Sequence, residues 1–201
     1  MSNTGAILKD NLWTSNPIFM QILGICSALA VTNLLVNTMI MTLGVVFVTA
    51  MSSFTVSLIK QLIPRKVRMI VQTLIIAFYV IIVDVLLRAY LPDISRALGP
   101  YVGLIITNCI IMGRAEAFAQ SNPPLASAWD GATSGFGYMA VLLTIAFVRE
   151  LFGFGTLFGY QVLPDAFEPW IIMVTPPSAF FLLGIIIWIG KTIMNREGAP
   201  A

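Results

Sequence analysis

No charged side chain occurs in residues 11–59, NLWTSNPIFMQILGICSALAVTNLLVNTMIMTLGVVFVTAMSSFTVSLI. A transmembrane helix needs about 20 mostly apolar residues, so this stretch is long enough for two crossings. Polar side chains that suit a short interfacial turn cluster near its middle, between Asn33 and Asn37. We therefore expect two membrane-spanning helices joined by a turn in this region.

The composition of the whole chain agrees with a membrane protein. Apolar residues make up 58% and charged residues only 10%, with a mean hydropathy of +0.92. A soluble domain carries about a quarter of charged residues, so lipid must cover most of this surface. The absence of histidine excludes a haem with two His ligands and a His-based zinc site on this chain alone. The net charge of +2, with basic residues that are not interleaved with aromatics, gives no sign of nucleic-acid binding.

Further apolar stretches predict four more crossings. We place these spans at about 69–87, between 96 and 114, from 131 to 148 and from 170 to 190. The Gly- and Phe-rich segment 151–167 is too broken for a long helix and is expected to form an outer loop. The prediction is an all-α integral membrane protein with six transmembrane helices, in which residues 1–201 form a single membrane domain.

The distribution of basic residues predicts that both termini are cytoplasmic. With six spans, eight basic residues fall on the side of the termini and three on the opposite side, which fits the positive-inside rule. The inner set is Lys9, Lys60, Arg65, Lys66, Arg68, Arg114, Lys191 and Arg196, and the outer set is Arg88, Arg96 and Arg149.

Three spans per half imply an inverted repeat. A second half that follows an odd number of crossings enters the membrane in the opposite sense, and such repeats place their shared site near the midplane. We place repeat one at about 12–90 and repeat two at about 96–192.

The chain has two cysteines at corresponding positions of these halves. Pro17 precedes Cys26 by nine residues, and Pro100 precedes Cys109 by nine. Nine helical residues extend about 14 Å, close to the centre of a core about 30 Å thick. A membrane cysteine often acts as a small buried apolar residue, and a disulfide has little to do in the middle of a helix pair. Matched depth favours a third interpretation, ligation of a metal centre, because a thiolate in lipid needs positive charge beside it.

An iron–sulfur cluster would provide that positive charge. A [2Fe–2S] cluster takes four ligands, normally cysteines, and this chain supplies two. Two copies of the chain, or this chain and a homologous partner, would have to share one cluster.

Three strings carry a family resemblance that extends from about Asn16 to Trp188. These are LGICSALAVT around Cys26, LIITNCIIMGRAEAFA around Cys109, and the late PPSAFFLLG. They resemble the D-type subunits of bacterial Na+-translocating NADH:quinone oxidoreductases. The homologous E-type subunits of Rnf ion-translocating complexes usually have proline after their first cysteine. Ser27 follows Cys26 here, which favours the Na+-pumping branch.

The resemblance implies a complex of six subunits in the bacterial cell inner membrane, of which this chain is a part that is not an enzyme by itself. Electrons would pass from NADH through flavins and iron–sulfur centres to ubiquinone, and the energy would export Na+. The D-type and E-type subunits would be homologous, oppositely oriented and joint holders of an intramembrane [2Fe–2S] cluster. Carried over to this sequence, Cys26 and Cys109 are the ligands. The NADH, flavin and quinone sites would lie on the other subunits, which are of types A, B, C, E and F.

Three charged residues within or beside the spans give weaker signals. Asp84 lies in the third span and could serve a cation path, although an ion pair with Arg88 is the favoured interpretation. Arg114 and Glu116 follow the second cysteine and could pair with a neighbouring subunit, influence the cluster, or form a structural pair.

Two further features are interpreted without a functional role. The adjacent Arg149 and Glu150 are interpreted as marking only the end of a span. The Gly-Ala-Thr sequence that ends at Thr133 is similar to the flavin-attachment core of sister subunits. It lacks the upstream part of that signature, so Thr133 is expected to stay unmodified.

Two other functional classes remain open from the residues alone. Inverted repeats with a midplane site also occur in secondary transporters and channels, although acidic residues near the midplane are few here. A purely structural membrane subunit, with its cysteines as core residues, is the second alternative.

Overall fold

The computed structural model describes residues 23–64, 66–158, 160–161 and 170–196, and nearly all of them are helical. The elements in chain order are α1 Ile25–Val31, α2 Leu35–Ile59, α3 Arg68–Tyr90, α4 Pro92–Ile106, α5 Cys109–Arg114, a π-helical turn π1 Ala115–Ala119, α6 Pro124–Gly153, β1 Thr156–Leu157, β2 Tyr160–Gln161, α7 Ile171–Val174 and α8 Pro176–Arg196. The two short strands pair antiparallel as a small hairpin.

Five segments of the described residues are long and apolar enough to cross a membrane. They are Leu35–Ile59, Arg68–Tyr90, Tyr101–Ala119, Pro124–Gly153 and Pro176–Ile193. The described part of the chain is therefore mostly helical, which is consistent with the predicted all-α multi-pass membrane protein. The first predicted crossing lies mainly in residues 12–22, outside the described part, so the count of six helices and the inverted arrangement stay predictions.

The turn within the uncharged N-terminal stretch is confirmed. Residues 32–34 form it, and α2 begins at Leu35, so Asn37 already belongs to the helix. The turn ends before the predicted range of Asn33 to Asn37 does. The polar side chain of Thr38 does not face water but donates to the carbonyls of Val31 and Leu34, so it belongs to the packed helix.

Three predicted span boundaries are wrong. The predicted span between 96 and 114 is not one continuous helix, because α4 ends at Ile106 and α5 starts at Cys109. The fifth span, placed at 131–148, is the longer helix α6, which continues past charged residues at both ends since those charges are buried and bonded. The last span begins at Pro176 instead of residue 170, after a break at Thr175. The predicted outer loop is still helical as far as Gly153, then forms the β hairpin, and residues 162–169 lie outside the described part.

The proline argument for cysteine depth also changes. Pro92 occupies the first position of α4, so Pro100 lies inside that helix instead of starting it. Pro17 lies outside the described residues. The depth of Cys109 is set by the break between α4 and α5, not by its distance from a proline.

The central pair of the bundle is formed by α2 and α6. A Cβ added to Gly131 would lie 2.8 Å from the backbone oxygen of Thr49, and one added to Gly135 would lie 3.0 Å from the Cα of Val46. Only glycine allows the two backbones to come this close. Around this pair the buried aliphatic side chains form one core, while α3 and α8 expose most of their apolar residues, as lipid-facing helices do.

The two ends of the bundle differ in their polar contacts. The Lys60 end comprises residues 57–64, 66–68 and 115–124, where Ser57 and Lys60 both donate to the carbonyl of Asn122. The Arg149 end comprises residues 32–35, 149–153 and 170–178, where Trp170 donates its backbone N–H to the carbonyl of Phe152.

Candidate functional site

Both cysteines lie in the first turn of a helix that starts inside the bundle. Gly24 precedes α1 with a φ of 89°, a left-handed conformation that favours glycine, and Cys26 is the second residue of the helix. Asn108 precedes α5, where its Oδ1 accepts the backbone N–H of Ile110 at 3.1 Å, and Cys109 is the first helical residue. Asparagine is a preferred residue at this capping position. A hydropathy profile alone does not reveal that these two helices start inside the bundle.

One tyrosine connects the two helix starts. Tyr138 is fully buried and lies half-way along α6. Its hydroxyl is hydrogen-bonded to Ser27 Oγ, and Asn108 Nδ2 donates to it at 3.4 Å. The cysteine-bearing helix starts therefore lie at one level of the bundle, next to the middle of its longest helix.

Both thiols are free and exposed on the surface of this chain. They are not core residues, which removes the support for their interpretation as small buried apolar side chains. Among the described residues, no three His, Cys, Asp or Glu side chains come close enough together to hold a metal ion. Because the sequence contains no further cysteine and no histidine, a centre with four Cys or His ligands would need two of them from another chain.

The donor set fits a cluster shared in this way. Thiolate sulfur is the usual ligand of iron–sulfur clusters. The first turn of a helix has backbone N–H groups without helical acceptors, and these favour negative charge. Cys26 and Cys109 each lie in such a turn, and their exposure leaves them open to a partner.

The charged residues singled out from the sequence have partners within the chain. Asp84 forms an ion pair with Arg88 at 2.8 Å, and the Arg88 side chain is largely exposed. Glu116 pairs with Arg68 and accepts a hydrogen bond from Gln72 at 3.0 Å, close to the Lys60 end.

Arg114 forms the more buried of these interactions. Its Nε donates to Asp130 Oδ2 at 2.9 Å, and its Nη2 contacts Oδ1 of the same carboxylate. Its guanidinium also lies 5.7 Å from the ring centroid of Phe118. Arg114 and Glu116 thus have different partners, and the bidentate Arg114–Asp130 pair ties α5 to α6.

The interpretation of Arg149 and Glu150 as simple markers of a span's end is wrong. Both residues are 1% exposed. The guanidinium of Arg149 donates to Thr32 Oγ1 at 2.6 Å and to three carbonyls, those of Met173, Val174 and Thr175. A charged residue inside an apolar helix usually faces the protein interior, and this rule was the signal that could have identified the pair.

Glu150 acts on the same end of the bundle. Its Oε2 accepts the backbone N–H of Leu35 at 2.5 Å, which caps the start of α2. Together with Arg149, it fixes the turn between α1 and α2 and the break between α7 and α8 to the end of α6.

Thr133 is nearly fully buried, and its hydroxyl donates to the carbonyl of Asp130 at 3.0 Å. A buried and bonded hydroxyl is a poor acceptor for a bulky flavin phosphate. Its environment supports the expectation that Thr133 stays unmodified.

The fold and the site define a class: a multi-pass helical membrane protein with two exposed thiols at helix starts inside the bundle. A family model described as "Rnf-Nqr subunit, membrane protein" matches residues 4–187. The chain belongs to this Rnf-Nqr family.

Curated relatives of the chain agree with the family match, and all three named here are D-type subunits of a Na(+)-translocating NADH-quinone reductase. The chain is 51% identical to the one from Pseudomonas paraeruginosa strain PA7, over 97% of this chain and 90% of that protein. It is also 51% identical to the one from Pseudomonas aeruginosa strain LESB58, over 92% of this chain and 85% of that protein. The relative from Pseudomonas aeruginosa strain UCBPP-PA14 gives the same values.

Proposed function

We propose that this chain is the D-type membrane subunit of a Na+-translocating NADH:quinone reductase. In this proposal Cys26 and Cys109 supply two of the four ligands of a [2Fe–2S] cluster, and a homologous E-type subunit supplies the others. The observation that carries the proposal is the pair of exposed thiols at two helix starts that both contact one buried tyrosine. The names of the relatives support the choice of the Na+-pumping branch over the Rnf branch.

The chain's own residues would bind and orient the cluster. A bound [2Fe–2S] cluster would supply one-electron transfer inside the membrane, where an unaided charge is costly. Asn108 fixes the start of α5 and thereby the position of Cys109. The buried core beneath the thiols excludes water from the inner side of the site. The NADH, flavin and quinone sites would lie on the other subunits, and electron transfer would be coupled to Na+ export by the whole complex.

The distribution of basic residues supports an orientation in the bacterial inner membrane with both termini in the cytoplasm. The Lys60 end carries Lys60, Lys66 and Arg68. Arg149, counted on the opposite side from the sequence, is buried and does not present its charge to that surface. Its burial strengthens the bias that the positive-inside rule uses.

The test is to replace each cysteine by alanine in the purified complex. Iron per complex and the electron paramagnetic resonance signal of the reduced cluster are measured beside NADH:quinone reductase activity. We expect Cys26→Ala and Cys109→Ala each to lose the cluster's iron and the rate of electron transfer to quinone. Thr107→Ala, which alters an exposed residue at the same break as Cys109, should keep both. Full iron content and normal turnover in either cysteine variant would contradict the proposal.

A further inference from the structure

The hydrogen bonds around Tyr138 have a defined direction. Ser27 Oγ donates its proton to the carbonyl of Gly24 at 3.0 Å. That proton is then not free for Tyr138, so the Tyr138 hydroxyl donates to Ser27 Oγ. On the other side, the Oδ1 of Asn108 accepts from Ile110, which turns its Nδ2 toward Tyr138 as a donor. The result is a directed chain from Asn108 to Tyr138, to Ser27 and to Gly24.

This chain of hydrogen bonds runs from one cysteine-bearing helix start to the other. Asn108 directly precedes Cys109, and Ser27 directly follows Cys26. Asn108, Tyr138 and Ser27 are all 0% exposed. In a dry interior no water replaces a lost partner, so each bond restrains its neighbours more strongly than it would at a surface.

The tyrosine ring also matches the backbone at Gly24. A Cβ at this position would lie 2.7 Å from Cε2 of Tyr138, so only glycine leaves room for the ring. The ring fixes the hydroxyl in place, and the hydroxyl fixes both helix starts. Packing and hydrogen bonding can be separated experimentally, because phenylalanine keeps the ring and removes the hydroxyl.

We propose that Tyr138 is a positioning residue that holds the helix starts of Cys26 and Cys109 at one fixed spacing. The two thiols then act as a single bidentate unit toward a partner subunit, although they are far apart in the sequence. This inference deepens the proposed function, since the spacing would define half of the cluster site, but it concerns the thiols themselves and is testable without the cluster.

The first experiment labels the two thiols in the purified complex after iron has been removed with a chelator. N-ethylmaleimide is the probe, and mass spectrometry gives the labelling rate of each cysteine. In Tyr138→Phe we expect the rates of both cysteines to rise about fivefold, the change that corresponds to one lost hydrogen bond. Tyr79→Phe is the matched control, because its hydroxyl is also hydrogen-bonded within the bundle, to Thr55 at 2.7 Å, but not at this site. Unchanged rates in Tyr138→Phe, or a change at one cysteine only, would overturn the proposal.

A sharper test places a substitution next to one cysteine and measures the labelling rate of the other. Ser27→Ala lies next to Cys26, and it should nevertheless raise the labelling rate of Cys109 by a similar factor. The double variant with Tyr138→Phe should label Cys109 no faster than either single variant, because residues of one chain of bonds are not additive. A Cys109 rate that Ser27→Ala leaves at the wild-type value refutes the coupling.

Asn108→Ser covers the case in which Tyr138→Phe does not assemble. Serine keeps an oxygen that can cap α5 and removes the amide donor to Tyr138 without adding a charge, so it should raise both labelling rates as well. Cys26→Ala separates this inference from the proposed function. Retained iron in Cys26→Ala contradicts the cluster proposal. Lost iron there, with wild-type labelling rates in Tyr138→Phe and Asn108→Ser, contradicts the positioning role alone.

Discussion

Replacement of Arg149 by methionine removes the charged group at the centre of the Arg149 end. The wild-type guanidinium donates to Thr32 Oγ1 at 2.6 Å and to the carbonyls of Met173, Val174 and Thr175 at 3.1, 2.9 and 3.3 Å. Methionine fills a similar volume but donates no hydrogen bond. The variant would remove the guanidinium donor from the carbonyl of Val174, whereas the carbonyls of Met173 and Thr175 would keep their hydrogen bonds from Ser178.

The magnitude follows from the number and burial of these bonds. A hydrogen bond to a charged group contributes about 1.5–3 kcal/mol. Four such bonds on one side chain are not additive, and three of their acceptors are only partly buried, so we take the total loss as about 3–5 kcal/mol. For a chain of this size, each kcal/mol corresponds to about 2–4 °C in the midpoint of thermal unfolding. We therefore expect Arg149→Met to lower that midpoint by about 6–20 °C.

The assay measures the midpoint of thermal unfolding of this subunit within the detergent-solubilised complex. Arg88→Met is the matched control, since Arg88 is also near the non-cytoplasmic side in our proposal but its side chain is 70% exposed and pairs with Asp84. An exposed pair contributes about 0–1 kcal/mol, so the control should change the midpoint by about 4 °C or less. Equal midpoints for Arg149→Met and Arg88→Met would refute the structural role of Arg149.

Two further predictions concern the α2–α6 and α5–α6 contacts. Gly131→Ala should destabilise the protein by about 1–3 kcal/mol, because the added Cβ would press on a backbone carbonyl of α2. In the control Gly184→Ala the added Cβ meets nothing within 4 Å, so this variant should be neutral. Equal midpoints of thermal unfolding for the two variants would argue against the close approach of α2 and α6. Asp130→Asn should cost about 3–5 kcal/mol because it leaves the nearly buried charge of Arg114 without its carboxylate. Asp84→Asn, in which the partner is largely exposed, should cost about 1 kcal/mol or less, and a larger loss there than at position 130 would reverse this ranking.

Hydropathy predicted the membrane class and the approximate places of the described spans, because contiguous apolar residues in water are costly whatever their tertiary neighbours are. The turn at Asn33 could also be predicted, since its local polarity leaves a direct trace in the sequence. The boundaries of α6 were not readable. Charge is expected to end a span, but Asp130 and Arg149 are bonded inside the bundle and the helix continues through both.

The candidate site likewise combines features that the sequence predicts with features that only the packed structure shows. From the residues alone it follows that two cysteines occur in separate apolar segments and that the chain supplies only half of the ligands a shared cluster would need. The packed bundle is required to show that both cysteines start helices at one level, that both thiols are exposed, and that the Tyr138 hydroxyl connects their helix starts. The physical reason is that apolarity is a property of each segment, whereas a hydrogen bond between Ser27, Tyr138 and Asn108 exists only when three distant segments are packed together.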